Sequence, residues 1–255
     1  MPDLTYEVRD LAAWITIRRP ERRNALSQEA IVAFVAALDS AEKDDSVRVI
    51  CVTGEGDKVF CSGADLASAF SGGDAMAGMQ AYADLLKRMA AFPKPFVARA
   101  AGHCLAGGLG LLLSCDLAIA REDSQFWTPE LDRGLFPMMI GALIFRSVPR
   151  RKALEMIYTG RRYSAAEAVD MGLVTCAVPA DDFDAKVSEL LATVAAKAPL
   201  AMSEGRRALA QAEHMQLGPA LDLLCQRLGV VASTEDAAEG MMAFLQKRKP
   251  EWRGR

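Results

Sequence analysis

Two small-residue turns and one basic loop are the stretches whose residue types could do chemistry. Gly102-His103-Cys104-Leu105-Ala106-Gly107-Gly108-Leu109-Gly110 runs into the apolar Leu111-Leu112-Leu113-Ser114-Cys115 and stops at Asp116. Behind the β-prone Pro95-Phe96-Val97-Ala98 it reads as strand, glycine turn and buried helix. Glycines at such a junction let another group approach the main chain, and the first amides of the helix are unpaired donors at the positive end of its dipole. The junction either receives an oxyanion or phosphate, or is a tight turn that packs a helix closely on its sheet. Val59-Phe60-Cys61-Ser62-Gly63-Ala64-Asp65-Leu66 is a second turn of small residues. The basic loop is Arg19-Pro20-Glu21-Arg22-Arg23-Asn24-Ala25-Leu26, which could meet an anionic ligand or stay solvated. The pair His103-Cys104 carries little weight for metal or nucleophilic chemistry, because His214 is the only other histidine and no third ligand is in register.

The elements that must position these turns follow from periodicity. Tyr6-Glu7-Val8 and Ala13-Trp14-Ile15-Thr16-Ile17 suggest an opening hairpin, and Ser27 suits the N-cap of a helix with Ile31, Phe34, Val35 and Leu38 on its apolar face. Arg48-Val49-Ile50-Cys51-Val52-Thr53 is almost continuously apolar, as strands covered on both faces tend to be. A segment with Ser71-Gly72-Gly73 leads to Met79, Tyr82, Leu85, Leu86 and Met89 at helical spacing, read as core. Leu117 to Ala120 and Gln125-Phe126-Trp127 are short strands, and Thr128-Pro129-Glu130 closes the second. Strand and helix alternating on this scale point to stacked β-β-α units. Helices then dominate: 139–148, 150–159, 164–171 with the capping box Ser164-Ala165-Ala166-Glu167, 181–197, and a final helix from Ser233 to Lys249, with Pro199 and Pro219 as breakers.

Composition bounds the partners. The 255 residues are 51% hydrophobic and 25% charged, enough for one full core with or without an appendage. A formal charge of -3 offers no basic field for nucleic acid, so a small-molecule partner is expected. The N-terminus has no signal-like segment and no stretch approaches the roughly 20 apolar residues of a membrane span, so the expected location is the cytoplasm. Cysteines 51, 61, 104, 115, 176 and 225 lack Cys-x-x-Cys spacing and read as reduced thiols.

The basic loop, Phe60 to Leu66, Ala106-Gly107-Gly108 with Cys115-Asp116, Thr159-Gly160 to Gly172-Leu173-Val174, and Ser233-Thr234-Glu235-Asp236 to Lys247-Arg248-Lys249-Pro250 together resemble the crotonase family of enoyl-CoA hydratases and isomerases. The likeness covers nearly the whole chain in order and spacing. It implies an α/β fold, a spiral of β-β-α units over residues 1–198, followed by a C-terminal α-helical trimerisation region over 199–255, in a homotrimer or homohexamer. It implies an acyl-CoA thioester substrate and no separate cofactor or metal. The family's two oxyanion amides map to Ala64 and Gly107, and its coenzyme A contacts to Arg22, Arg23, Ala25, Gly63, Asp65, Leu66, Leu105 and Gly108.

Of the two glutamates that hold water in the family's hydratases, the first falls at Gly110 and the second at Glu130. One carboxylate is therefore missing. A single base that takes a proton from C2 and returns it to C4 needs no second acid. The resemblance thus favours isomerisation of a 3-enoyl-CoA to a 2-enoyl-CoA, ahead of enoyl-CoA hydration, decarboxylation, thioester hydrolysis or a non-catalytic acyl-CoA-binding role. Two glycine positions of the family's turn after Phe136-Pro137 are Met138 and Ile140. Met138 and Met139 either shape an acyl pocket or pack a helix, and Asp132 is an acidic reserve expected to point elsewhere.

Overall fold

The computed structural model describes residues 2–65 and 75–255, so Leu66 and Ser71-Gly72-Gly73 lie outside the described residues. β1 (Leu4–Arg9) and β2 (Ala12–Ile17) form the expected hairpin, with Asp10 and Leu11 both at positive φ. Ser27 caps α1 (Gln28–Lys43), its Oγ accepting the Ala30 N–H at 3.0 Å.

Three repeats of the same path follow. β3 (Val49–Gly54), β4 (Val59–Cys61) and α2 (Ala75–Ala90) are the first. β5 (Phe96–Ala100), β6 (His103–Leu105) and α3 (Gly107–Leu113) are the second. β7 (Leu117–Arg121), β8 (Gln125–Trp127) and, after a 3-10 turn, α4 (Met138–Ser147) are the third. The first strand of each repeat joins a six-stranded sheet and the second a four-stranded one, which is the spiral of β-β-α units expected from the sequence. α5 (Arg150–Thr159), β9 (Tyr163–Ser164), α6 (Ala165–Asp170), β10 (Cys176–Val178) and α7 (Ala180–Ala195) complete it. The orders are β1-β2-β3-β5-β7-β10 and β4-β6-β8-β9.

The continuous apolar run of β3 is explained by cover on both faces. Ile50 and Val52 join the main core beneath the helices, whereas Val49 and Cys51 face Phe183, Val187 and Leu191 of α7. The short strands β9 and β10 lie where the periodicity indicates only helices. At two and three residues they are too short to leave an alternating pattern, and they exist because sheet edges are there to receive them.

The C-terminal region is helical, with α8 (Pro199–Ala212), α9 (Leu217–Ala232) and α10 (Glu235–Leu245). Two expectations are corrected there. Pro219 does not break a helix but sits in the first turn of α9, where the missing N–H would have had no intrahelical partner. The final helix is shorter than 233–249. Ser233 closes α9, Thr234 Oγ1 caps α10 by accepting the Ala237 N–H at 3.1 Å, and Lys247 at φ 54° lies past its end. Asp236 is buried and accepts the N–H groups of Arg253 at 2.7 Å and Gly254 at 3.0 Å, so it pins the C-terminal segment. Among the described residues no helix is long and apolar enough to cross a membrane.

Candidate active site

The chemistry-bearing residues converge because their strands are neighbours in the small sheet. β4, β6 and β8 run parallel in that order, with Cys61 opposite Cys104 and Leu105 opposite Trp127. The turn containing Ala64 leaves the C-terminal end of β4, the turn containing Gly107 leaves that of β6, and Glu130 follows that of β8. Parallel strands of similar length deliver all three to one edge, the usual place for a ligand in such sheets.

The two turns touch through their main chains. A Cβ on Gly63 would stand 2.6 Å from Gly107 N, and one on Gly107 would stand 2.9 Å from Gly63 Cα and 3.3 Å from Ala64 N. Gly63 also has φ +91°, and a Cβ on Gly108 would meet the Cys61 carbonyl oxygen at 2.0 Å. These three positions therefore exclude side chains. Leu26 bridges to Ala64 by donating to Gly63 O at 2.8 Å and accepting from Asp65 N at 2.9 Å, an arrangement that does not use the Ala64 N–H. Among the described residues neither the Ala64 nor the Gly107 N–H has an acceptor. Ala106, before Gly107, takes φ 50° and ψ -134°, a conformation costly for a residue with a Cβ. The Tyr82 hydroxyl donates to the Gly107 carbonyl oxygen and holds the turn from below.

A cavity of about 870 Å³ opens over this edge. Ala64, Gly107, Glu130, Arg22, Arg23, Ala25, Asp65 and Leu105 all line it. Gly63 and Gly108 do not; they serve as the close contacts that bring the two turns together. Among the described residues buried Glu130 Oε2 has no hydrogen-bond partner, and burial is the main cause that raises the Glu130 pKa above the usual carboxylate range, with its own backbone N–H and Arg133 opposing. The Glu130 carbonyl accepts from Arg133 N at 2.9 Å and Leu135 N at 3.0 Å, which fixes the turn carrying it. Asp132 is not in the lining; its Oδ2 would lie 3.5 Å from a Cβ on Gly160.

The basic loop divides into anchors and free ends. Arg19 donates to Ala25 O at 2.7 Å and pairs with Asp65 at 2.9 Å and Asp3 at 3.0 Å. Buried Asn24 donates to Glu55 O at 3.0 Å and Val59 O at 2.6 Å. Arg22 and Arg23 are left exposed at the cavity mouth. His103 stays outside the cavity, its Nδ1 accepting from Gln125 N at 3.1 Å, and burial lowers its pKa.

The far wall was only partly legible. Met138 and Met139 line the cavity, as the pocket-shaping alternative has it, together with Leu135, Phe136 and Ile140. Their helical spacing assigns Tyr82 and Met79 to the core. Tyr82 is indeed buried, yet both reach the cavity, and periodicity cannot show which end of a core tyrosine meets a site.

Comparison with known proteins agrees with this geometry. A family described as enoyl-CoA hydratase/isomerase matches residues 9–255. The chain is 33% identical to the 2,3-dehydroadipyl-CoA hydratase of Escherichia coli (strain K12), covering 100% of each. It is 34% identical to a probable enoyl-CoA hydratase of Bacillus subtilis (strain 168), again over 100% of each. Among solved structures, an enoyl-CoA hydratase from Bacillus anthracis superposes with TM-score 0.95 at 28% identity, covering 99% of this chain and 100% of that one. Human enoyl coenzyme A hydratase domain-containing protein 3 does so with TM-score 0.93 at 31% identity, covering 98% and 100%. With the fold, the paired amides and the buried carboxylate in place, the chain belongs to the enoyl-CoA hydratase/isomerase family, the crotonase family of enzymes.

Proposed function

We propose that this enzyme converts a 3-enoyl-CoA to a 2-enoyl-CoA, with Glu130 as the one base and the Ala64 and Gly107 amides as the oxyanion site. The observation that carries the reading is that Glu130, Ala64 and Gly107 line one cavity while, among the described residues, buried Glu130 Oε2 has no partner and the Ala64 and Gly107 N–H groups have no acceptor. Taking a proton from C2 places charge on the thioester oxygen. Two fixed donors stabilise that charge, and one such donor is typically worth about 10²- to 10³-fold in rate. Glu130 takes the C2 proton as the C2–H electrons enter the dienolate. It then returns the proton to C4, and the double bond moves to C2–C3. No second carboxylate is required.

Arg22 and Arg23, exposed at the mouth, are assigned to the anionic nucleotide of coenzyme A, and the apolar wall of Leu135, Phe136, Met138 and Met139 to the acyl group. Cys51 and Cys61 are buried free thiols, and reduced cysteines suit the cytoplasm as the proposed compartment. The reading is tested by assaying purified protein against matched 2-enoyl- and 3-enoyl-CoA thioesters of several chain lengths. Isomerisation of a 3-enoyl-CoA faster than hydration of its 2-enoyl counterpart is expected. Hydration is the second reading, favoured by relatives named as hydratases. Robust hydration of crotonyl-CoA without any isomerisation would establish it instead.

A further inference from the structure

Position 110 has no side chain, and the reason lies in its neighbours. Gly110 is buried within α3, one turn beyond Gly107. A Cβ there would stand 2.7 Å from Ile140 Cγ2 and 2.7 Å from Tyr82 Oη, so these two side chains already occupy the space through which a residue at 110 would enter the cavity. Both line that cavity, yet Ile140 is only 3% and Tyr82 only 1% exposed.

A water needs two to four polar partners to be held in a buried place. At this wall Ile140 offers methyl groups, and Tyr82, with its proton committed to the Gly107 carbonyl, offers at most an acceptor oxygen, short of the two partners a held water needs. Glu130 also lines the cavity, and among the described residues its Oε2 has no partner that could relay a proton to solvent. We infer that Ile140, backed by Tyr82, is a specificity-determining residue that keeps solvent from this side of the cavity and so confines the proton held by Glu130 to the bound acyl group. The inference rests on the isomerase reading and adds to it why the proton leaving C2 is the one that reaches C4. The balance is internal: the C2–H bond breaks and a carboxylic O–H forms, then that O–H breaks and C4–H forms, with no added reactant.

The test is isomerisation of a 3-enoyl-CoA in D₂O, with deuterium in the product counted by mass spectrometry per turnover. Wild type is expected to carry the substrate's own hydrogen to C4 with little deuterium entering. Ile140→Ala, which opens the wall, is expected to raise deuterium per turnover several-fold whatever its rate, while Ile140→Leu, which keeps the volume, stays near wild type. If Ile140→Ala fails to fold, Ile140→Val opens the wall less and is expected to show a smaller rise. Equal deuterium per turnover in wild type and in the folded smaller variants would overturn the inference and leave the isomerase reading intact. Full solvent exchange in wild type would overturn it as well. Absence of turnover on every 3-enoyl-CoA would instead overturn the isomerase reading, and this inference with it.

Discussion

Glu130 carries the sharpest predictions at the scale of single residues. A general base of this kind contributes about 10²- to 10⁴-fold, so Glu130→Gln is expected to lower kcat by that range while coenzyme A affinity by calorimetry stays close to wild type. The pKa of Glu130 is raised in the folded enzyme, chiefly by burial. The base form is therefore lost at a higher pH than for an ordinary glutamate, and the acid limb of the kcat profile should lie above the usual carboxylate range. The same shift has a stability consequence with a definite sign. A group whose folded pKa is raised favours the folded state below its unfolded pKa, and this contribution is lost as pH rises through the folded value. Above its folded pKa ionised Glu130 thus costs stability, and Glu130→Gln is expected to raise Tm there, with the gain shrinking toward acid pH. A Tm difference independent of pH would contradict this.

At the scale of elements, the site depends on three parallel strands ending together and on turns pressed into contact. Gly63 shows the requirement, since it combines φ +91° with a backbone atom 2.6 Å from where its Cβ would lie. Position 110 yields a paired prediction. Gly110→Glu, which would supply the carboxylate that hydratases of the family place there, collides with Ile140 and Tyr82, and overpacking of this kind costs about 1–3 kcal/mol. Its Tm is expected to fall, and combining it with Ile140→Gly should recover part of the loss in a thermal melt. Additive losses from the two substitutions would show that they do not share the space.

At the scale of the whole molecule, charge and apolar surface each make a prediction. With Arg22 and Arg23 at the mouth, affinity for coenzyme A should fall as salt rises, and Arg22→Ala with Arg23→Ala should weaken binding and flatten that dependence; exposed charges are screened over a Debye length of about 8 Å at physiological salt. Calorimetry at two ionic strengths checks it. The helices from Pro199 onward leave Leu217, Leu228, Phe244 and Leu245 at 75%, 67%, 78% and 68% exposure, large apolar side chains whose cover by another subunit would bury apolar surface. We propose that residues 199–255 form subunit contacts, and light scattering is expected to report a trimer or hexamer. A stable monomer at working concentration would rule this out.

Much of the fold was legible because its signals are local. Ser27 and the Ser164/Glu167 box cap helices through hydrogen bonds three residues long, and the apolar run of β3 announces a strand covered on both faces. The glycine turns could be named as places of close approach, since absence of a Cβ is a property of the residue itself. The partner of each approach could not be read there. That Gly63 meets Gly107, that Asn24 ties the basic loop to Val59, and that Arg19 is an anchor while Arg22 and Arg23 face the cavity are contacts between distant segments. Glu130 draws its role in the sequence from resemblance alone; the burial of its Oε2 without a partner among the described residues arises only when β8 lies beside β6 and the turn after it folds back. Gly110 was visible as a missing carboxylate. What fills its place is decided by packing, because Tyr82 and Ile140 are 28 and 30 residues away along the chain and meet it only where α2 and α4 close over α3.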